Sequence, residues 1–348
     1  MLAELPIVID RNSGHLNSNF WDDVSKWFND NLGLRSELMN LYTRINVNVL
    51  GKSSGEKVLR GRDGFWFYRQ DNNIEIADPD YKISDEQLEL VAARQQELYD
   101  YYMAQGVKYL FVIDPSKVSI YPEKLPYGDY TSDYKSHSQV LAEYLRDNTS
   151  VNAVATREAV LRGKADGYQV FLKTDTHWTG IGGYYGYTAI AKALGFEPVI
   201  LTGTKEYSSK GEFSAMLGDK EILPPETVLQ SILPNKYTDY SANHPESWND
   251  YYIEFDRIEK ENGYQNAWEA YENPDALDGT ILCYADSMLN SWIMQGLSAH
   301  YKRVIRLTMR NYNAVDKAIE EYVQPSVVIF STVERFCDHG AERVRLNQ

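Results

Sequence analysis

Apolar and polar positions along the chain follow two rhythms, one of helical period and one of short continuous runs. Over residues 19–50 the spacing is helical: Asn19-Phe20-Trp21-Asp22-Asp23-Val24 leads into Trp27-Phe28, and Leu38, Leu41, Ile45 and Val49 follow. Gly61-Arg62-Asp63-Gly64 ahead of Phe65-Trp66-Phe67-Tyr68 predicts a glycine turn and then an aromatic strand. Residues 84–105 predict a helix. Ser84 and Gln87 have capping-box spacing, Leu88, Val91, Leu98 and Met103 supply an apolar stripe, and Gly106 suits the C-terminal cap. Val107–Ile113 then reads as a buried strand ending at Asp114-Pro115.

The alternation continues with a helix at about 134–147, a strand at 168–172 and a helix at 179–195, in which Gly182, Gly183 and Gly186 imply close packing against a neighbour. After the apolar run Ile281–Ala285 it resumes as helix 288–300, strand 303–308, helix 312–322 and strand 326–331. Helices alternating with strands predict an α/β fold, a mainly parallel sheet with helices on both faces. The polar stretch 201–278 breaks the rhythm and reads as an insertion over the active edge of the sheet. The chain is therefore expected to be a single domain, residues 1–348, with an N-terminal helical segment at about 1–50.

Composition narrows the function. A net charge of −15, with no Lys/Arg cluster, argues against a nucleic-acid backbone or an anionic membrane surface as partner. The 27 tyrosines and 7 tryptophans fit either half-buried core positions or a surface that stacks on sugar rings. Two cysteines, Cys283 and Cys337, permit a disulfide without specifying one. No run of about 18 apolar residues is present. The opening Met1-Leu2-Ala3-Glu4-Leu5 lacks the pattern of a signal peptide. Two expectations follow: a cytoplasmic protein, or numbering that starts after a removed export segment.

The chemistry concentrates in two places. Thr174-Asp175-Thr176-His177-Trp178-Thr179 puts an acid two positions before an imidazole, just after Val170-Phe171-Leu172. Far downstream, Ile281-Leu282-Cys283-Tyr284-Ala285-Asp286-Ser287-Met288 runs from an apolar strand onto a serine, where open α/β sheets place their sites. Together they supply a nucleophile, a base and an orienting carboxylate. A metal reading of Asp175 and His177 finds no ligand-like spacing among the other histidines, His15, His137, His244, His300 and His339. No cofactor motif is apparent, since no Gly-Lys-Ser/Thr follows the glycines after His177.

Several segments, in order, resemble the alginate O-acetyltransferase group (AlgX/AlgJ-like proteins) of the SGNH hydrolase-like superfamily. They are Trp27–Arg35, Gly61–Tyr68, the stretch Pro115–Pro126 with its Tyr121-Pro122-Glu123, Thr174–Trp178 with its Asp-x-His-Trp, Ala285-Asp286-Ser287, and Val333-Glu334-Arg335-Phe336. The resemblance spans roughly residues 19 to 340, and Asp-x-His-Trp and Tyr-Pro-Glu are its most specific parts. It implies a three-layer αβα sandwich with Ser287 as nucleophile, His177 as base and Asp175 as orienting acid. That order is permuted relative to hydrolases in which the serine comes first. Ala285 stands where the group has glycine.

The resemblance further implies acetyl transfer to hydroxyls of a secreted polysaccharide through an acetyl-serine. It also implies an acetyl donor delivered by a membrane-bound O-acyltransferase, and an extracytoplasmic location. Lys117, Tyr121, Trp178 and Arg335 are candidates for lining the substrate groove, although solvated loop residues would explain Lys117 and Tyr121 equally well. A carbohydrate acetylesterase with the same triad, or a catalytically silent glycan-binding component of an export complex, stand as alternatives.

Overall fold

The computed structural model describes residues 19–31, 41–49, 56–240, 268–308 and 314–337. Leu38 and the other helical positions predicted at 32–40 lie outside them. Helix α1 (Phe20–Asn31) and, at 41–49, helical residues that run into a π turn at Ile45–Val49 are the described parts of that N-terminal stretch. Strands β1 (Val58–Arg60) and β2 (Trp66–Tyr68) form an antiparallel hairpin. Asp63 and Gly64 both take positive φ (53° and 81°) at its tip, a conformation that glycine and short polar residues tolerate best.

Helix α2 (Asp85–Ala104) starts at the predicted capping box, with the Ser84 side chain and Gln87 each bonding the other's backbone. Gly106, at φ 73°, lies just beyond its end. Leu88, Val91 and Leu98 face inward, whereas Met103 is exposed and Tyr102 fills the core beside it. Strand β3 (Lys108–Asp114), helix α3 (His137–Asn148), strand β4 (Ala153–Ala155) and helices α4 (Arg157–Ala165) and α5 (Gly180–Ala193) follow.

The segment 201–278 resolves into two parts. Strands β5 (Gly203–Ser209) and β6 (Glu226–Ile232) form an antiparallel hairpin with one helical turn between them, Phe213–Met216. Strands β7 (Thr238–Asp239) and β8 (Trp268–Glu272) instead join the main sheet. The chain then runs through β9 (Leu277–Ala285), α6 (Ser291–Leu297), β10 (Tyr301–Thr308), α7 (Ala314–Val323) and β11 (Val327–Val333).

The main sheet has seven strands in the order β4-β3-β11-β9-β10-β8-β7. The first five are mutually parallel, and β8 and β7 add an antiparallel edge. Alternate strand residues serve opposite faces. Leu110, Val112, Ile281, Cys283, Val327 and Ile329 pack with α4, α5 and α6. Tyr109, Phe111, Leu282, Tyr284, Val328 and Phe330 pack with α2, α3 and α7. This is the three-layer αβα arrangement of an SGNH hydrolase-like domain, with a mostly parallel sheet. Cys283 and Cys337 are buried in the cores on opposite faces.

Two predicted elements differ. Residues 168–172 do not enter the sheet: Phe171 makes only an isolated antiparallel bridge to Trp178. The helix predicted from 288 begins at Ser291, because Asn290 caps it by accepting from Trp292 N–H at 3.2 Å. Ser287 is therefore in a turn ahead of the helix.

Candidate active site

The carboxyl ends of β3, β9 and β11 converge, and the polar residues of the fold gather there. Asp286, just past β9, accepts from Met288 N–H at 2.9 Å and from Val333 N–H, at the end of β11, at 2.7 Å. Asp114, at the end of β3, is fully buried and accepts from Thr156 and Ser331 hydroxyls, each at 2.8 Å. Burial and the charge of Asp286 push its pKa up to about 7, against the pull of those two hydrogen bonds. The buried Glu334 carboxylate accepts from Ser116 N–H, Ser138 N–H and Ser138 Oγ at 3.0–3.1 Å, joining three chain segments.

Over this edge lies a tight reversal, residues 170–179. Leu172 N–H bonds His177 O and Thr179 N–H bonds Val170 O, each at 3.0 Å. Buried backbone groups need satisfying, and those of its tip, 172–176, draw on other parts of the chain, beginning with Trp66 N–H, which donates to Lys173 O at 2.8 Å. Lys117 Nζ donates to the carbonyls of Leu172, Lys173 and Asp175 at 2.9, 3.1 and 2.6 Å. Glu226 accepts from Lys173 N–H, Thr174 N–H and Thr174 Oγ1, all at 3.0 Å. Tyr121 OH accepts from Val170 N–H at 3.0 Å.

Within this framework the imidazole Nδ1 of His177 lies 2.6 Å from Asp175 Oδ1, which also accepts His177 N–H at 3.0 Å. Burial pushes the Asp175 pKa up, but its bonds from His177 and Glu212 outweigh this and bring it down to about 2. Burial likewise lowers His177, and the Asp175 hydrogen bond with the charges of Asp175, Glu212 and Asp286 reverses the sign and leaves it raised. Such a pair can hold one imidazole tautomer, leaving Nε2 to exchange a proton.

The sequence-predicted residues divide as follows. Asp175 and His177 are in direct contact. Ser287 is exposed on the turn after β9, and no Ser287–His177 hydrogen bond forms among the described residues. The two segments are linked by neighbours: Trp178 Nε1 donates to Asn290 Oδ1 at 3.4 Å, and the Asp286 charge acts on His177. Lys117 and Tyr121 are buried, with polar atoms committed to the reversal, and Trp178 is 1% exposed. These three are supports beneath the site, which corrects their expected place in a substrate groove.

Arg335 is different. Its guanidinium lies over the rings of Tyr68 and Phe336 at 5.3 and 4.8 Å, and its buried Nε has no hydrogen-bond partner among the described residues. It faces Asp286, Asp71 and Glu212, so it belongs to the site edge.

Sequence reasoning did not single out Glu212, Glu226 or Asn290. Glu212 and Glu226 come from the aperiodic stretch, while Asn290 carries the ordinary signal of a helix cap. Asp175, His177 and Glu212 each bring a ligand-capable atom within 4.8 Å of the others. Nδ1 is bonded to Asp175 and Glu212 Oε1 to Thr176, however, so hydrogen bonds account for the grouping.

The hairpin β5–β6 closes over this edge. Tyr207 packs on Trp292, with ring centroids 5.5 Å apart. A Cβ on Gly180 would meet Gln230 Cα at 2.7 Å. No helix among the described residues is long and apolar enough to cross a membrane.

The architecture recurs in known proteins. The DHHW family protein of Eubacterium siraeum DSM 15702 superposes with a TM-score of 0.55 at 15% identity, covering 84% of this chain and 96% of that one. The O-acetyltransferase domain of Pseudomonas putida AlgJ does so with a TM-score of 0.50 at 18% identity, over 81% and 92%. In sequence, the probable alginate O-acetylase AlgJ of Pseudomonas fluorescens is 24% identical over 228 residues, 64% of this chain and 55% of that protein. The chain thus spans about half the length of the curated relative. The family model for the SGNH hydrolase-like domain of acetyltransferase AlgX matches residues 58–246, a span holding Asp175, His177 and Glu212. With more than half of the 348 residues matched, the chain belongs to the AlgX family of SGNH hydrolase-like acetyltransferase domains.

Proposed function

We propose that the chain transfers acetyl groups to sugar hydroxyls of a secreted polysaccharide through an acetyl-serine. The observation that carries this reading is the 2.6 Å contact between Asp175 Oδ1 and His177 Nδ1, made beside the turn that bears Ser287. With Nδ1–H held by the carboxylate, Nε2 is free to accept a proton. Ser287 Oγ attacks the donor carbonyl carbon while His177 takes the hydroxyl proton, and the donor's leaving oxygen departs carrying that proton. An acceptor hydroxyl then attacks the acetyl-serine. His177 removes its proton and returns it to Ser287 Oγ as the ester bond to serine breaks.

The site's neighbours fit these steps. Asp175 stays ionised across the physiological range, with its pKa brought down to about 2, so it stabilises the imidazolium that each step forms. The exposed Ser287 can be reached by a large substrate, and the covering hairpin β5–β6 supplies a wall against which an acceptor sugar can compete with water. A membrane-bound O-acyltransferase as source of the acetyl group, and an extracytoplasmic location, belong to the same proposal through family membership.

Incubation with an acetyl donor and a panel of neutral and acidic oligosaccharides, followed by mass spectrometry, tests it. Acetylated sugar that disappears in Ser287→Ala supports transfer. Free acetate alone, still dependent on Ser287, identifies an esterase. No Ser287-dependent chemistry and no labelling by a serine-directed probe would leave a glycan-binding component.

A further inference from the structure

Glu212 is seated on the acid–imidazole turn by three separate interactions. Its backbone N–H donates to Asp175 Oδ2 at 3.0 Å, so each oxygen of Asp175 has its own partner, the imidazole on Oδ1 and this amide on Oδ2. Its side-chain Oε1 accepts from Thr176 N–H at 3.1 Å and from the Thr176 hydroxyl. The same oxygen lies 4.0 Å from His177 Nδ1. The residues on either side press equally close. A Cβ on Gly211 would stand 2.0 Å from Thr174 O, and Phe213 N–H donates to that carbonyl at 3.1 Å. Three consecutive residues thus clasp the turn, and Lys117 Nζ lies over the ring of the third, Phe213, 4.8 Å from its centroid.

We propose that Glu212 is a positioning residue of the Asp175–His177 pair, holding Asp175 and Thr176 so that the imidazole presents Nε2 to the reaction. This rests on the reading of His177 as general base. Glu212 also places a second carboxylate on the Nδ1 side of the ring, which favours the imidazolium. The other charges bearing on the ring are Asp175 from its own reversal and Asp286 from the turn after β9. Arg335 and the buried Lys117 are the cations within electrostatic reach of Glu212, from two further elements.

Glu212→Gln separates the two contributions, since an amide oxygen still accepts from Thr176 but carries no charge. Glu212→Ala removes both. Nuclear magnetic resonance titration of the His177 ring, assigned by comparison with His177→Gln, reads basicity without requiring turnover. Hydrolysis of an acetyl ester as a function of pH reads catalysis. In Glu212→Gln the His177 midpoint should fall and the acidic limb of the rate should move with it, leaving the plateau little changed. In Glu212→Ala the plateau should also fall by on the order of tenfold or more. Unchanged midpoints in both variants, or a full plateau in Glu212→Ala, overturn the assignment. If the parent protein neither hydrolyses an ester nor acetylates an oligosaccharide while the midpoints shift as stated, the placement of Glu212 stands and the acetyl-transfer reading fails.

Discussion

The indole Nε1 of Trp178 donates to Asn290 Oδ1 at 3.4 Å, fastening the residue after the imidazole to the turn that carries Ser287. Asn290 Oδ1 also accepts from Trp292 N–H at 3.2 Å and so begins α6. One amide oxygen therefore sets both the start of the helix behind the serine turn and its attachment to the His177 reversal.

Asn290→Ala should lose a helix cap, costing about 1 kcal/mol in chemical denaturation, and should lower acetyl-ester turnover by on the order of tenfold through loosened geometry. Asn290→Asp keeps an acceptor oxygen and should restore most of the stability. Parent-like turnover in Asn290→Ala would show that the attachment does not position the serine.

The Asp175–His177 contact predicts a pH dependence with a definite sign. Asp175 has its folded pKa brought down to about 2 from 3.8, so its contribution to stability is present above about 3.8 and is lost as pH falls through 2. His177 is raised above 6.5, so its contribution is complete below 6.5 and is lost as pH rises through the folded value. The contact therefore stabilises most between these limits. Catalysis needs the neutral imidazole, and its acidic limb should lie above pH 6.5. Asp175→Asn removes the charge that holds the tautomer and should lower kcat by roughly 10³–10⁴-fold. Stopped assays across pH 5–9 check both statements, and an acidic limb at or below 6.5 would contradict the raised imidazole.

Lys117 gives a further prediction with the opposite sign. Burial lowers its pKa to about 7, against the charges of Asp175, Glu226 and Glu212. Between about 7 and 10.5 the unfolded chain binds the extra proton, so this group makes stability rise with pH through that window. Lys117→Met should abolish that rise. It should also strand the carbonyls of Leu172 and Asp175, while Lys173 O keeps its bond from Trp66 N–H, costing at least about 2 kcal/mol at neutral pH. Urea midpoints measured from pH 6 to 10 test it, and an unaltered slope would show that the buried amine carries no titration.

The parts of this fold legible in the sequence are those whose physics is local. Ser84 and Gln87 are three residues apart and cap the helix they begin, and the apolar run at 107–113 is a buried central strand because its length and flanks allow little else. The apolar run at 168–172 has the same appearance, yet it folds back on Trp178. Hydrophobicity records that a segment is buried and not which partner buries it. Asp175 and His177 were legible because two residues set their geometry. Glu212 and Glu226 were not, because they bond the turn from 36 and 52 residues away within a stretch that has no period.

The glycines of α5 show how close packing reaches the site. A Cβ on Gly182 would lie 2.0 Å from Val170 O and 2.8 Å from Trp178 Cβ. Gly186 would place its Cβ 3.0 Å from the far edge of the Trp178 ring, where a small tilt of the indole relieves the contact. In an exposed helix, alanine would gain about 0.5–1 kcal/mol over glycine at either position. At Gly182 the clash is with backbone of the reversal that holds Asp175 and His177, and it cannot be relieved without moving α5. Gly182→Ala should therefore cost about 3 kcal/mol or more and abolish turnover, whereas Gly186→Ala should change stability by less than about 1 kcal/mol, the helix gain offsetting the tilt. Denaturation and turnover measured on both variants separate the cases. Equal tolerance of the two alanines would mean that α5 can withdraw from the reversal, and that its glycines do not hold the acid–imidazole pair in place.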